Sequence, residues 1–225
     1  GYIDRSGSKL RSYFLQGIYK DENTLLKILN FAGHEITDQA WFGIDSFTLK
    51  TNRKYNPAGE YYDKIGNPIY YNNQDDNYKQ DHYQFHWNQS YETGWTSNLG
   101  IHYTYGRGYF ENYNLGYDDG ISIPEDYIDR RWLKNDFYGL IFNLNQKSDL
   151  YNATIGGSFN IYEGQHYGEY MWSSMNKISS NFKEKFYDDI GDKSEFNVYA
   201  KLDYYLSEKI SVYGDLQFRN INYNA

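Results

Sequence analysis

Toward the C-terminal end of the chain, Phe196, Val198, Ala200, Leu202, Tyr204 and Leu206 alternate with Asn197, Tyr199, Lys201, Asp203 and Tyr205. Successive side chains of a strand point to opposite faces, so this run is a strand with one apolar and one polar face. After Ser207-Glu208-Lys209 the pattern resumes, with Ile210, Val212, Gly214, Leu216 and Phe218 on one side and Ser211, Asp215, Gln217 and Arg219 on the other. The two runs predict a hairpin. Each is about ten residues long, the length a tilted strand needs to cross a bilayer, whereas a soluble strand is usually about five or six.

The same grammar recurs upstream. Tyr83, Phe85, Trp87 and Tyr91 alternate with His82, Gln84, His86 and Asn88, and Glu92-Thr93-Gly94 turns the chain into Leu99, Ile101, Tyr103 and Tyr105. Tyr138, Leu140, Phe142 and Leu144 lead through residues 145–149 to Tyr151, Ala153, Ile155 and Phe159. A first hairpin, 9–20 and 24–33 across Asp21-Glu22-Asn23, carries apolar residues on both faces. Eight strands in four hairpins are therefore expected, closing near 21–23, 92–94, 146–148 and 207–209, all at one end of a sheet. Between hairpins lie long connections, about 34–77, 106–131 and 163–193. Outer-membrane barrels alternate short turns on one side with long loops on the other, whereas soluble domains seldom carry repeated structureless loops beyond about 12 to 15 residues. Pro57, Pro68 and Pro124 all fall in the long connections, as a ladder that must donate every hydrogen bond inside lipid requires.

Composition narrows the classes. The chain has 28 Tyr, 13 Phe and 5 Trp among 225 residues, too much ring surface for a disordered chain despite a mean hydropathy of -0.88. Tyr19, Tyr91, Trp95, Tyr105, Tyr138, Tyr151 and Tyr204 lie near strand ends, the depth that rings with a polar tip prefer in a bilayer. No stretch of about 20 apolar residues exists for a membrane helix, a test that is blind to alternating strands. Thirty acids against 22 bases give a formal charge of -8, with no basic stripe, so nucleic acid is not an expected partner. The absence of cysteine removes disulfides and thiolate chemistry. Both ends, Gly1 and Asn224-Ala225, read as cuts within a larger protein.

Five segments carry a resemblance. DRSGSKLRSYFLQGIYKDENTLLKILNFAGHEITDQAWFGID at 4–45, TNRKYNPAGEYYDKIGNPIYYNNQDDNYKQDHYQFHWNQ at 51–89, LGIHYTYGRGYFENYN at 99–114, RRWLKNDFYGLIFNLN at 130–145 and EFNVYAKLDYYLSEKISVYGDLQFRNINY at 195–223 resemble, in this order, the barrel region of TonB-dependent outer-membrane receptors from Bacteroidetes. The resemblance implies a barrel of about 22 strands around an N-terminal plug, and a motif ahead of the plug that engages the TonB complex for energised uptake. Neither plug nor motif is present in residues 1–225, which read as a partial barrel.

Motifs for chemistry are weak. His82 and His86 share the polar face of one strand, and pairing across Thr93 sets His102 beside Gln84 between them. Residues four apart on a strand are about 13 Å apart and cannot ligate one ion together, so polar residues wetted by a lumen are the plainer reading. The acids Asp75-Asp76, Asp118-Asp119 with Glu125-Asp126 and Asp129, and Asp188-Asp189 with Asp192 are oxygen-rich, but none has the spacing of a calcium loop. Neither carboxylate pairs for glycoside hydrolysis nor a phosphate-binding glycine spacing is established; Gly106-Arg107-Gly108 and Gly156-Gly157 fit tight turns and close strand approach. No enzyme, metal or cofactor is expected.

The expectation is an all-β chain: about eight antiparallel transmembrane strands forming one wall of a barrel in the outer membrane, in contact with lipid, with long extracellular loops. Phe196, Val198, Leu202, Ile210, Val212, Leu216 and Phe218 should face lipid, and Lys201, Asp203, Asp215, Gln217 and Arg219 the lumen. A nutrient ligand (an iron chelate, cobalamin, haem or a glycan) would be held by loop aromatics, with Trp41, Tyr61, Tyr62, Tyr70, Tyr71, Tyr109, Tyr113, Tyr117 and Trp172 as contacts, because rigid rings give large contact area for little entropy. The rivals are a soluble carbohydrate-binding β-sandwich and a passive porin or adhesin barrel.

Overall fold

The computed structural model describes residues 1–117, 125–175 and 183–225. Eight long strands form one antiparallel sheet: β1 (Ser8–Lys20), β2 (Thr24–Asp38), β5 (Asp75–Ser90), β6 (Trp95–Asn114), β7 (Tyr127–Lys147), β8 (Tyr151–Ser173), β9 (Lys185–Ser207) and β10 (Ile210–Asn224). Their order is β1-β2-β5-β6-β7-β8-β9-β10, so every neighbour in space is the neighbour in sequence. The connection from β2 to β5 carries a short helix, α1 (Ser46–Thr51), and a two-stranded hairpin of β3 (Glu60–Tyr62) and β4 (Pro68–Tyr70). Pro68 opens β4, where its missing N–H is harmless; Pro124 lies outside the described residues.

The four hairpins close at 21–23, 91–94, 148–150 and 208–209, all at the same end of the sheet, and the third turn falls two residues later than expected. Local chemistry shapes these turns. The Asp21 carboxylate accepts the Asn23 and Thr24 amides at 2.9 and 2.7 Å, and Gly94 supplies a positive φ of 79°. At the other end the connections are shorter than expected: 39–74, 115–126 and 174–184 replace 34–77, 106–131 and 163–193. The strands continue past the apolar zone. There both faces are polar or aromatic, as in Tyr105-Gly106-Arg107-Gly108-Tyr109, so hydropathy loses its period while the ladder from Tyr105↔Asp136 to Asn114↔Tyr127 runs on.

The register explains the membrane face. Tyr19, Leu26, Trp87, Leu99, Phe142, Gly157, Val198 and Phe218 form one row across all eight strands. The next row on this face is Gly17, Ile28, Phe85, Ile101, Leu140, Phe159, Phe196 and Asn220. Between them on the opposite face runs Ile18, Lys27, His86, Gly100, Ile141, Ser158, Asn197 and Arg219. The expected facing holds in β9 and β10: Phe218 opposes Val198 and Leu216 opposes Ala200, while Asp215 opposes Lys201 on the other side. Large apolar side chains on the band stand open, Ile28 at 62%, Ile155 at 51% and Leu216 at 80% exposure. No second sheet covers them among the described residues, which removes the sandwich; the buried apolar residues are Ala32, Ala58 and Tyr167.

Two glycines show why close strand packing needs them. A Cβ on Gly108 would sit 2.2 Å from the Asn77 carbonyl oxygen, and one on Gly157 would sit 2.4 Å from that of Asn197. Both lie mid-strand, so close approach rather than a turn accounts for the Gly106-Gly108 and Gly156-Gly157 runs.

Candidate functional site

The end of the sheet opposite the short turns is closed over by the 39–74 connection. Gln39 starts it, fully buried, where its amide donates to the Asp75 and Glu111 carbonyls at 3.3 and 3.0 Å. Gln74 ends it, donating to the Gln39 and Asn112 side chains at 3.1 and 3.0 Å and accepting the Tyr113 amide at 2.9 Å. Asn56 ties the middle down through bonds to the Gln39 and Asp4 carbonyls and to the Ala58 amide. A buried amide left unpaired is costly, so three that are satisfied together hold the connection in one place. Within it, Asp45 caps α1 by accepting the Phe47 and Thr48 amides at 2.8 and 3.0 Å.

Glu111 anchors the cover from the sheet side. It is 3% exposed, accepts the Tyr71 hydroxyl and pairs with Arg130. Burial, followed by that bond to Glu111, pushes the Tyr71 phenol up to about 12. Tyr113 is the centre of a ring cluster: Tyr61 stacks on it at 4.5 Å, Tyr71 lies at 5.8 Å and Trp172 at 6.2 Å. Its phenol donates to Asp126 at 2.8 Å and is raised by burial and by that carboxylate.

Under the cover is a cavity of about 820 Å3. Its floor is the polar face of β5 and β6, where Asp76 and Phe110 oppose one another and Asn112 and Asn114 continue the phase of His102 and Thr104. Its walls are Gln39, Trp41, Phe42 and residues 57–60 of the connection on one side, and Tyr113, Leu115, Tyr117 and Tyr127 on the other.

Of the nine aromatic residues expected to meet a ligand, Trp41, Tyr113 and Tyr117 line this cavity. Tyr61, Tyr71 and Trp172 gather on Tyr113 and build the cover. The other three stand apart. Tyr70 lies under the Arg5 guanidinium at 3.4 Å, Tyr62 is exposed with its hydroxyl on Glu60, and Tyr109 packs against Trp132 and Arg130 on the other face of β6. Tyr109, Tyr113 and Trp172 belong to strands rather than loops, because β6 and β8 run on beyond the apolar band. Gln39, Phe42, Gln74, Asp76, Phe110, Asn112 and Tyr127 were missed. Strand phase could have found three of them, since Asp76 follows His82 and Gln84, and Phe110 and Asn112 follow His102, in steps of two.

The histidines do lie together as the alternation implied, with His102 opposite Gln84 between His82 and His86. Each ring is engaged by a polar neighbour: His82 by Thr104 and Gln80, His86 by Gln84, His102 by Asn160. Three of the acids are similarly occupied. Glu125 accepts the Ser173 hydroxyl and the Met175 amide, Asp129 takes Asn114 and Arg131, and Asp188 takes Gln165 and Lys185. Asp118 and Asp119 lie outside the described residues. Among the described residues no three His, Asp or Glu side chains come together in a metal-binding group.

No family model and no curated protein matches the chain. Solved structures do. The ferripyoverdine receptor of the outer membrane of Pseudomonas aeruginosa, bound to ferripyoverdine, is similar over 99% of this chain and 32% of its own, with TM-score 0.63 and 8% identity. P. aeruginosa FpvA bound to a heterologous pyoverdine gives TM-score 0.60 at 9% identity, over 99% of this chain and 31% of that one. The fold is that of an outer-membrane receptor barrel. The RagAB peptide transporter shares it, with TM-score 0.63 and 13% identity over 97% of this chain and 28% of that one. At these identities the likeness is one of fold, and the chain spans about a third of the length of the structures it matches. The chain itself has eight consecutive strands, short turns at one end and a cavity at the other.

Proposed function

We propose that this chain is part of the wall of a TonB-dependent outer-membrane receptor, and that the receptor takes up a nutrient ligand captured under the 39–74 cover. The observation that carries the reading is the largely apolar band on one face of eight consecutive strands, backed by a polar face with Lys27, His86, Ser158, Asn197 and Arg219. A sheet of this kind has lipid on one side and a wetted lumen on the other. The partners in this reading are membrane lipid, the ligand, and a TonB complex engaged through parts of the receptor outside these residues. Capture at the covered end and passage along the polar face need no catalytic step, so the reading is not an enzyme. The similar structures bind ferripyoverdine or transport peptides, and both classes join iron chelates, cobalamin, haem and glycans as ligands to try.

The full-length receptor should stay with the outer-membrane pellet through a carbonate wash. Uptake from a panel of labelled ferric chelates, haem, cobalamin, oligosaccharides and peptides should identify one class whose import stops when the TonB complex is deleted. Release into the soluble fraction without detergent would overturn the membrane reading. Import that continues without the TonB complex would make the barrel a passive pore.

A further inference from the structure

The chemistry of the cavity wall narrows the ligand further, on the reading that this cavity is the receptor's capture site. Its lining holds six aromatic residues, Trp41, Phe42, Phe110, Tyr113, Tyr117 and Tyr127, and two carboxylates, Glu60 and Asp76. Among the described residues it holds no lysine, arginine or histidine. Three of the four lining amides are already committed as donors, Gln39 to the Asp75 and Glu111 carbonyls, Gln74 to the Gln39 and Asn112 side chains, and Asn114 to Asp129 and the Asn112 carbonyl, which leaves the Asn112 NH2 to read a hydroxyl.

The two carboxylates differ. Glu60 accepts two phenols, the Tyr55 and Tyr62 hydroxyls donating to it at 2.6 and 2.8 Å. Asp76 takes no hydrogen bond or ion pair from a described residue. Its carboxyl is raised from the ordinary value by burial first and then by Glu35, which lies one strand over where Glu35 opposes Tyr78 and Thr37 opposes Asp76. A half-buried anion beside a second anion lacks a counter-charge, and rings offer their negative faces to a cation.

We propose that the cavity is built for an organic cation, an alkylammonium group that takes Asp76 as its counter-ion and the aromatic walls as its cage. Anionic ligands meet two carboxylates and, among the described lining residues, no base, and are rejected by the same wall. The specificity lies in charge first, because most of the amide scaffold is spent on holding the cover.

The test compares choline with neohexyl alcohol, its uncharged carbon isostere, on full-length receptor in detergent, with acetate as the anionic probe and calorimetry as the readout. Choline should bind at least about tenfold more tightly than neohexyl alcohol, the difference that one cation–π cage with a counter-ion makes, and acetate should not bind. Asp76→Asn should bring the two alcohols to within about threefold of one another, while Trp41→Ala should weaken both. Equal affinities in the unaltered receptor, undetectable choline binding, tighter acetate binding, or an unchanged choline preference in Asp76→Asn would each overturn the proposal. The comparison in unaltered receptor needs no variant to fold. Membrane retention and TonB-dependent import are read separately, so a receptor that passes both and shows no preference for choline sinks the cation site alone.

Discussion

The membrane-height part of the sheet and its covered upper end are made from the same strands, yet different forces hold them. At membrane height the sheet is one layer thick, and its apolar side chains, Ile28, Ile155 and Leu216 among them, are left open for a solvent that is not water. At the upper end Trp41, Ile65 and Tyr117 are open as well, but buried amides and carboxylates do the holding: Gln39, Asn56, Gln74, Glu111 and Asp129. On the proposed reading, lipid supplies the first region's driving force and hydrogen bonds the second's. A change that is ruinous in one should therefore be mild in the other, and the variants below are chosen to find where that division fails.

The largest effect is expected from a charge placed on the band. Val198→Arg puts a guanidinium into the apolar row that runs from Tyr19 to Phe218, and should cost roughly 2 to 4 kcal/mol. Asp203→Arg, on the opposite face of the same strand, should cost less than about 1 kcal/mol. Urea unfolding of full-length receptor in lipid vesicles measures both. Equal losses would mean that the two faces do not meet different solvents.

Next comes the cover. Gln39→Ala removes donors to the Asp75 and Glu111 carbonyls and an acceptor for Gln74. The groups left unsatisfied should destabilise the cover by about 1 to 3 kcal/mol. The expected signature is local: faster proteolysis within 39–74 of the folded receptor, with the urea midpoint of the barrel unchanged. A fall in that midpoint would show that cover and band unfold together.

These two regions also differ in how far they could be read from residues alone. The last hairpin alternates because its two faces are unlike, one apolar and one polar, so Val198 and Asp203 were assignable at once. The first alternates poorly because Phe14 and Phe31 lie on the polar side, with their rings 6.0 Å apart and Phe31 stacked on His82 at 4.3 Å. Its register was legible only through its short turn. Above the band, strands such as β6 continued unseen because hydropathy has no period where both faces are wet. The cavity depends on Gln39 and Gln74, 35 residues apart, meeting over a strand end, and local pattern carries no trace of such a contact. Tyr and Trp were legible as ring-rich sites, but not which rings would turn inward.

A smaller effect should separate the regions by pH. The Tyr71 phenol is raised to about 12 by burial and by its bond to Glu111. A raised phenol contributes stability that is complete below its ordinary value of about 10 and is lost as the pH climbs through the folded value. The cover should therefore loosen between about pH 10 and 12, seen as phenolate absorbance rising together with proteolysis of 39–74, and Tyr71→Phe should remove the part due to this residue. Coincident loss of the barrel would again join what the structure separates.

The smallest effects are those on the aromatic residues, and they decide where the ligand sits. Trp41→Ala and Tyr117→Ala open the cavity wall and should lower affinity for the transported ligand about five- to thirtyfold, as truncation of a ring at the centre of a binding site does. Tyr62→Ala and Tyr109→Ala touch rings that point elsewhere, toward Glu60 and toward Trp132, and should change it less than about twofold. Tyr61→Ala and Trp172→Ala fall between, because each props Tyr113 rather than facing the cavity. Affinity must be measured beside surface expression, since a ring that only packs the cover lowers both together. Should Tyr62→Ala weaken binding as much as Trp41→Ala in receptor that still reaches the surface, the ligand lies over the exposed tip of the β3–β4 hairpin, and the covered cavity is only the space beneath it.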